Sequence, residues 1–325
     1  VLVYQHAMGV CKETILPLAD TMARFGIAVV GIDAMQHGSR SPDGPGGCEM
    51  EFTDFFVIEN FARTSAYFEQ SVIDIWSLVR MLREAEPLDV LPYPGGDGAP
   101  DLATARMAFA GQSMGASMGL NAMALEPAFD AGVVNVGMGY LMDLMLAGLG
   151  VDLPETPMPG LDEYSLFQMN LGAIVPTVAD KCDPIHWADN LIAAPMPPWR
   201  IGPMSVLYQQ AAYDEVVPFE AYERTAGLMQ IPAVEPMLRP IEGLPAVSTP
   251  VQGNLDAGRT AALFQFDAPA EHAFLLTCDD PAVMFAGQLQ AAVFLSGSLQ
   301  GSTPVVIDPF DPAQVAAHAH AWEAP

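Results

Sequence analysis

The chain has 325 residues, 51% of them hydrophobic, and a formal net charge of −27. That length and apolar content allow one large buried core or two small ones. With only two lysines, Lys12 and Lys181, the surface argues against binding nucleic acid or an anionic membrane, because both need clustered cations.

No apolar run reaches the roughly 20 residues of a membrane span. The richest, 133–151, is broken by Asn135, Asp143 and glycines. Cys11, Cys48, Cys182 and Cys278 show no C-x-x-C spacing, so a zinc or redox site is not indicated. Their even number permits two disulfides, and free buried thiols are an equal alternative. The chain opens on the strand-like run "VLVYQHAMG", without Met or signal peptide, so either the sequence is truncated or an upstream segment is expected, separate or cleaved.

In chain order, short apolar runs at 1–5, 27–32, 106–110, 132–136, 204–209 and 261–266 suit strands buried on both faces of a parallel sheet. Helix-like segments lie between or after them: 12–25, 64–86, 114–125, 218–229 and 281–295. In 64–86, Val72, Ile73, Trp76, Val79 and Leu82 make one apolar face. This alternation predicts a doubly wound α/β fold. Pro/Gly-rich loops are expected at 41–50 and 87–101. Residues 137–200, long, apolar and rich in Met and Pro, read as a cap inserted between two core strands. Residues 231–258 read as a loop insertion and 301–325 as a tail. The core is then 1–136 with 201–300.

The chemistry centres on "GQSMG", 111–115. It follows the strand "MAFA" and precedes a helix of small residues, Gly115, Ala116, Ser117 and Gly119. A tight strand-to-helix turn there lifts the Ser113 hydroxyl above the sheet and places the Met114 N–H where an oxyanion would form. A serine needs a base, and the base an orienting acid. Of the four histidines downstream, His272 follows the last strand, which is where the base belongs. His186 falls in the cap, and His318 and His320 at the end, too isolated for a metal site. The acid is expected after the preceding strand, as Asp214 in "YDEVVP". Glu215 is the nearest competitor, and Asp183 and Asp267 are weaker by position. The second oxyanion donor is expected from "QHAMG", as the N–H of Met8 or Ala7. His6 is read as ordering that loop.

These motifs together resemble the α/β-hydrolase superfamily, of the serine esterase and lipase kind. "YQHAMG" resembles its His-Gly-x-x-Gly oxyanion loop, with Ala7 where glycine is usual. "GIDAMQHGSRS" resembles its Asp-x-x-Gly-His-Gly-x-Ser stretch, with Gln36 for the first glycine. "GQSMG" resembles the nucleophile elbow, "YDEVVP" the acid loop and "EHAF" the histidine loop. The resemblance implies structural roles for Asp33, His37, Gly38 and Ser39. It also implies that the family's early strands are missing here, and that another chain or a cleaved N-terminal part completes the sheet edge.

The expected function is hydrolysis of a neutral carboxylic ester, lipid-like or polymeric included, with no cofactor, no metal and no nucleic-acid partner. The cap's Met138, Leu141, Met142, Leu144, Met145, Leu146, Leu149, Met158, Phe167 and Met169 would suit an adaptable acyl pocket, or merely the cap's own core. A peptidase of the same fold and a non-catalytic binding protein are the alternatives. The possible disulfides, the acidity and the lipase-like site favour a secreted or envelope location.

Overall fold

The computed structural model describes residues 1–42, 48, 52–57, 60–84, 88, 89, 91, 95–141, 177, 178, 180–276 and 280–318. Most of the expected cap, from Met142 through Met169, therefore lies outside the described residues, as do Cys278 and His320.

Six strands form where the apolar runs predict them: β1 Leu2–Gln5, β2 Val29–Ile32, β3 Met107–Gln112, β4 Phe129–Asn135, β5 Ser205–Ala211 and β9 Ala261–Phe266. The helices are α1 Leu16–Arg24, α2 Phe52–Phe55, α3 Phe61–Glu84, α4 Met114–Leu125, α5 Phe219–Met229, α6 Pro281–Leu299 and α7 Pro312–His318. Pro17 and Pro281 sit in the first turns of α1 and α6, where a missing N–H costs nothing. Residues 12–15 open the first helical segment as a 3₁₀ turn.

With β6 Ala233–Val234 and β7 Ala246–Val247, the described residues form an eight-stranded sheet in the order β2-β1-β3-β4-β5-β9-β6-β7, and its strand pairs are parallel. The interior strands β1, β3 and β5 are buried throughout, as continuous apolar runs require when helices cover both faces. Strand β2 is an edge, and its four residues are only half-buried.

Helices α4 and α6 lie on opposite faces. Gly132 of β4 packs against Met123 of α4, whereas Asn135, three residues on, bonds Gln209, whose amide donates to Gly287 O of α6. An odd separation along a strand reverses the face. The ring pair Phe109–Phe129, edge-on at 5.6 Å, fills the α4 side.

Three expectations change. Residues 231–258 are not only loop: β6 Ala233–Val234 and β7 Ala246–Val247 extend the sheet, and β8 Val251–Gln252 pairs antiparallel with β10 Val305–Val306. Residues 301–318 are accordingly not a loose tail, since Val305, Val306 and Ile307 are buried and α7 follows. Two-residue strands carry too little periodicity to read. Finally, α6 is by length and composition apolar enough to cross a membrane, but 67% of its apolar window is buried within the fold. It touches α1, β3, β4, β5 and β10, so most of its length is apolar because it is packed inside the fold, while Pro281, Ala282 and Phe285 at its start are exposed.

Cys11 and Cys48 form a disulfide, which ties Cys48 to the segment after β1. Cys182 is a free buried thiol whose pKa burial pushes up to about 12.

Candidate active site

The turn between β3 and α4 is set by sterics. Ser113 adopts φ 54 and ψ −122, a conformation an L-residue holds only when its surroundings impose it, at a cost of order 1–3 kcal/mol. Both flanking glycines are required by packing. A Cβ on Gly111 would lie 2.5 Å from Gly115 C and O, and one on Gly115 would lie 2.2 Å from Gln5 O and 2.5 Å from His6 O. The backbone is anchored by Ser113 N–H donating to Asn135 O on β4 at 2.9 Å.

Ser113, Asp214 and His272 come together. Ser113 Oγ lies 2.7 Å from His272 Nε2, and His272 Nδ1 lies 2.7 Å from Asp214 Oδ2. Asp214 follows β5, and its side chain is 1% exposed against 16% for His272. Its Oδ1 accepts the N–H groups of Val216 and Val217 at 2.8 and 3.0 Å, and its Oδ2 also accepts the Tyr222 hydroxyl. Burial alone would raise the Asp214 pKa. The His272 hydrogen bond and charge, the Tyr222 hydroxyl and the Val217 N–H outweigh it and hold the carboxyl below its ordinary range. The His272 loop is wedged between β9 and α6 by buried Phe274, 4.6 Å ring to ring from Phe266, and Gln112 Nε2 reaches His272 O at 3.4 Å.

The loop after β1 is held by two other histidines. His6 Nδ1–H donates to Ala7 O at 2.6 Å and its Nε2 accepts Ala34 N–H at 3.0 Å. His37 Nδ1–H donates to Met35 O at 2.7 Å and its Nε2 accepts Gly9 N–H at 3.3 Å. A carbonyl only accepts and an amide only donates, so both rings are neutral with the proton on Nδ1. Burial pushes the His6 pKa down to about 4 and lowers that of His37 as well. Asp33 stabilises the neighbouring turn, taking Lys12 Nζ at 2.6 Å, Lys12 N–H at 2.9 Å, and Ser39 N–H and hydroxyl at 3.0 and 2.7 Å. Burial opposes its ionisation, yet these donors hold it far below the carboxylate range. Gly38 has φ +49, and a Cβ there would meet Asp33 Oδ1 at 2.4 Å.

Strands β1 and β3 are neighbours, so Met8 and Met114 both sit just beyond the carboxyl ends of adjacent strands. Neither backbone N–H donates to an acceptor among the described residues.

The other candidates lie elsewhere. Glu215 is exposed. Asp183 is buried and accepts Tyr140, Leu141 and Ile185 N–H at 2.6, 2.8 and 3.0 Å, joining the start of the expected cap to a segment later within it. His186 pairs with Asp180 at 2.6 Å near the surface. Of the apolar cap residues, Met138 and Leu141 are described, and both are buried in the main core. Among the described residues, Cys11, Glu13 and Cys48 cluster closely enough for a metal, but the two thiols are joined as a disulfide. Sequence reasoning missed Tyr222, Gln112 and the Val216 and Val217 amides. Nothing in the spacing of Tyr222 from Asp214 marks it, because its role depends on how α5 turns back on its own first loop.

No protein-family model matches the sequence, and neither does any curated protein. Solved structures do match. An esterase of Pyrococcus furiosus aligns at 12% identity with a TM-score of 0.50, over 92% of this chain and 82% of that one. Est1E of Butyrivibrio proteoclasticus, with ferulic acid bound, aligns at 14% identity and a TM-score of 0.49, over 92% of this chain and 89% of that one. A puromycin-hydrolysing peptidase of Mycobacterium tuberculosis aligns at 15% identity and 0.48, over 92% of this chain but 34% of its own. At such identities only the first likeness bears on the architecture, and what it supports is the fold. With the parallel sheet, the helices on both faces and the tight turn at Ser113, the chain has an α/β-hydrolase fold.

Proposed function

We propose that the protein is a serine hydrolase acting on carboxylic esters through an acyl-enzyme. The observation that carries this reading is the continuous Ser113–His272–Asp214 chain at 2.7 and 2.7 Å. His272 Nε2 takes the Ser113 proton as Oγ attacks the ester carbonyl. Asp214 holds the Nδ1–H tautomer and stabilises the imidazolium. The N–H groups of Met8 and Met114 receive the oxyanion. His272 returns the proton to the leaving alcohol, and water releases the acid by the same steps reversed.

A neutral ester suits an acidic chain with few cations. The Cys11–Cys48 disulfide suits an oxidising compartment, in keeping with export. The test is hydrolysis of p-nitrophenyl esters set against aminoacyl-nitroanilides. Ester turnover well above anilide turnover is expected. Preference for the anilides would make the protein a peptidase, and turnover of neither by folded protein would make it a binding protein.

A further inference from the structure

Tyr222 is a buried side chain that takes no part in the steps above. It lies in the first turn of α5, eight residues beyond Asp214, and is 1% exposed. Its hydroxyl donates to Asp214 Oδ2, the same oxygen that meets His272 Nδ1. Its ring stands edge-on to Tyr208 at 6.3 Å, and the Tyr208 hydroxyl is itself fixed on Gly137 O at 2.5 Å. The phenol is thus locked, and Asp214 is its one hydrogen-bond acceptor among the described residues. Backbone amides already satisfy Oδ1. A phenylalanine would fill the same space, so packing alone does not call for the hydroxyl.

We propose that Tyr222 is a positioning residue that sets the strength of the Asp214–His272 pair. This rests on the hydrolase reading above. A phenol donating to Oδ2 withdraws charge from the oxygen that faces the imidazole. The carboxylate then stabilises the imidazolium less than one with a free oxygen would. The hydroxyl also fixes the carboxylate plane, so that Oδ2 stays on Nδ1. The other titratable groups near this pair are Ser113 on the elbow, Tyr208 on β5 behind Tyr222, and the exposed sequence neighbours Glu215 and Glu271. Among the described residues no Lys or Arg pairs with Asp214.

The test is the titration of the His272 ring by nitrogen-15 NMR, which needs no substrate, with p-nitrophenyl acetate kinetics in parallel. In Tyr222→Phe the His272 titration, and the acid limb of kcat/KM with it, should move up by roughly half a pH unit or more. The plateau of kcat should fall several-fold. Placing 3-fluorotyrosine at 222, a stronger donor of the same shape, should move both down, and this substitution serves if Tyr222→Phe does not fold. Titrations that stay put in folded variants, whatever happens to thermal stability, would overturn the proposal. A titration that moves in a protein that hydrolyses nothing would sustain the coupling and sink the hydrolase reading instead.

Discussion

Three imidazoles stand beyond the carboxyl ends of the sheet, and they are built differently. His6 and His37 are placed between a backbone carbonyl and a backbone amide, which leaves each one tautomer and no charge. His272 has the same tautomer, but its Nδ1 faces a buried carboxylate and its Nε2 a hydroxyl. A carboxylate rewards a positive ring, whereas an amide N–H aimed at Nε2 forbids one. On the proposed reading, the partner atoms, more than the side chain, separate a base from a brace.

The largest expected effect tests the base. Ser113→Ala and His272→Ala should each lower ester turnover by roughly 10⁴ to 10⁶ with the fold retained, as deletions in such triads do. Comparable loss in His6→Ala, in a protein whose Ser113 still reacts, would erase the distinction. The second effect tests the brace. His6 titrates at 6.5 in an ordinary setting and at about 4 here. The unfolded chain therefore binds more protons between those values. The stability His6 contributes is complete above pH 6.5 and is lost as pH falls toward 4, about 3 kcal/mol in all. Urea denaturation at pH 7 and pH 4.5 should show His6→Gln losing less on acidification than the wild type.

A smaller effect links the two regions. The methyl of Gly115→Ala would press on Gln5 O and His6 O, driving the braced loop from the elbow. A loss of about 1–3 kcal/mol in denaturant is expected, together with reduced turnover. The smallest is the rate effect of His6→Gln. Loosening the Met8 amide should cost roughly tenfold in kcat, less than removal of an oxyanion donor, and the acid limb of the pH profile should not move. A shifted limb would mean that His6 communicates with the base.

Much of this was legible in the sequence. The buried parallel strands announced themselves as unbroken apolar runs, and Ser113, Asp214 and His272 followed from chain order and from the strand preceding each. Cys11 and Cys48 are visible as residues but not as a pair, because their spacing of 37 residues does not say that they meet. The strands β6, β7, β8 and β10 are two residues each, and pairing rather than periodicity creates them. Helix α6 reads as helix, but burial of most of it in the core is not told from a spanning helix by composition. Tyr222 was silent for a similar reason: a tyrosine amid "FEAYERTA" looks like any half-apolar helix position.

The central claim is that Ser113 is a nucleophile activated by His272. Treatment with a fluorophosphonate, followed by mapping of the adduct by mass spectrometry, tests it most directly. A single adduct on Ser113, absent in Ser113→Ala and formed far more slowly in His272→Ala, is the predicted result. No adduct on the folded wild-type protein, or one that persists in Ser113→Ala, would contradict it.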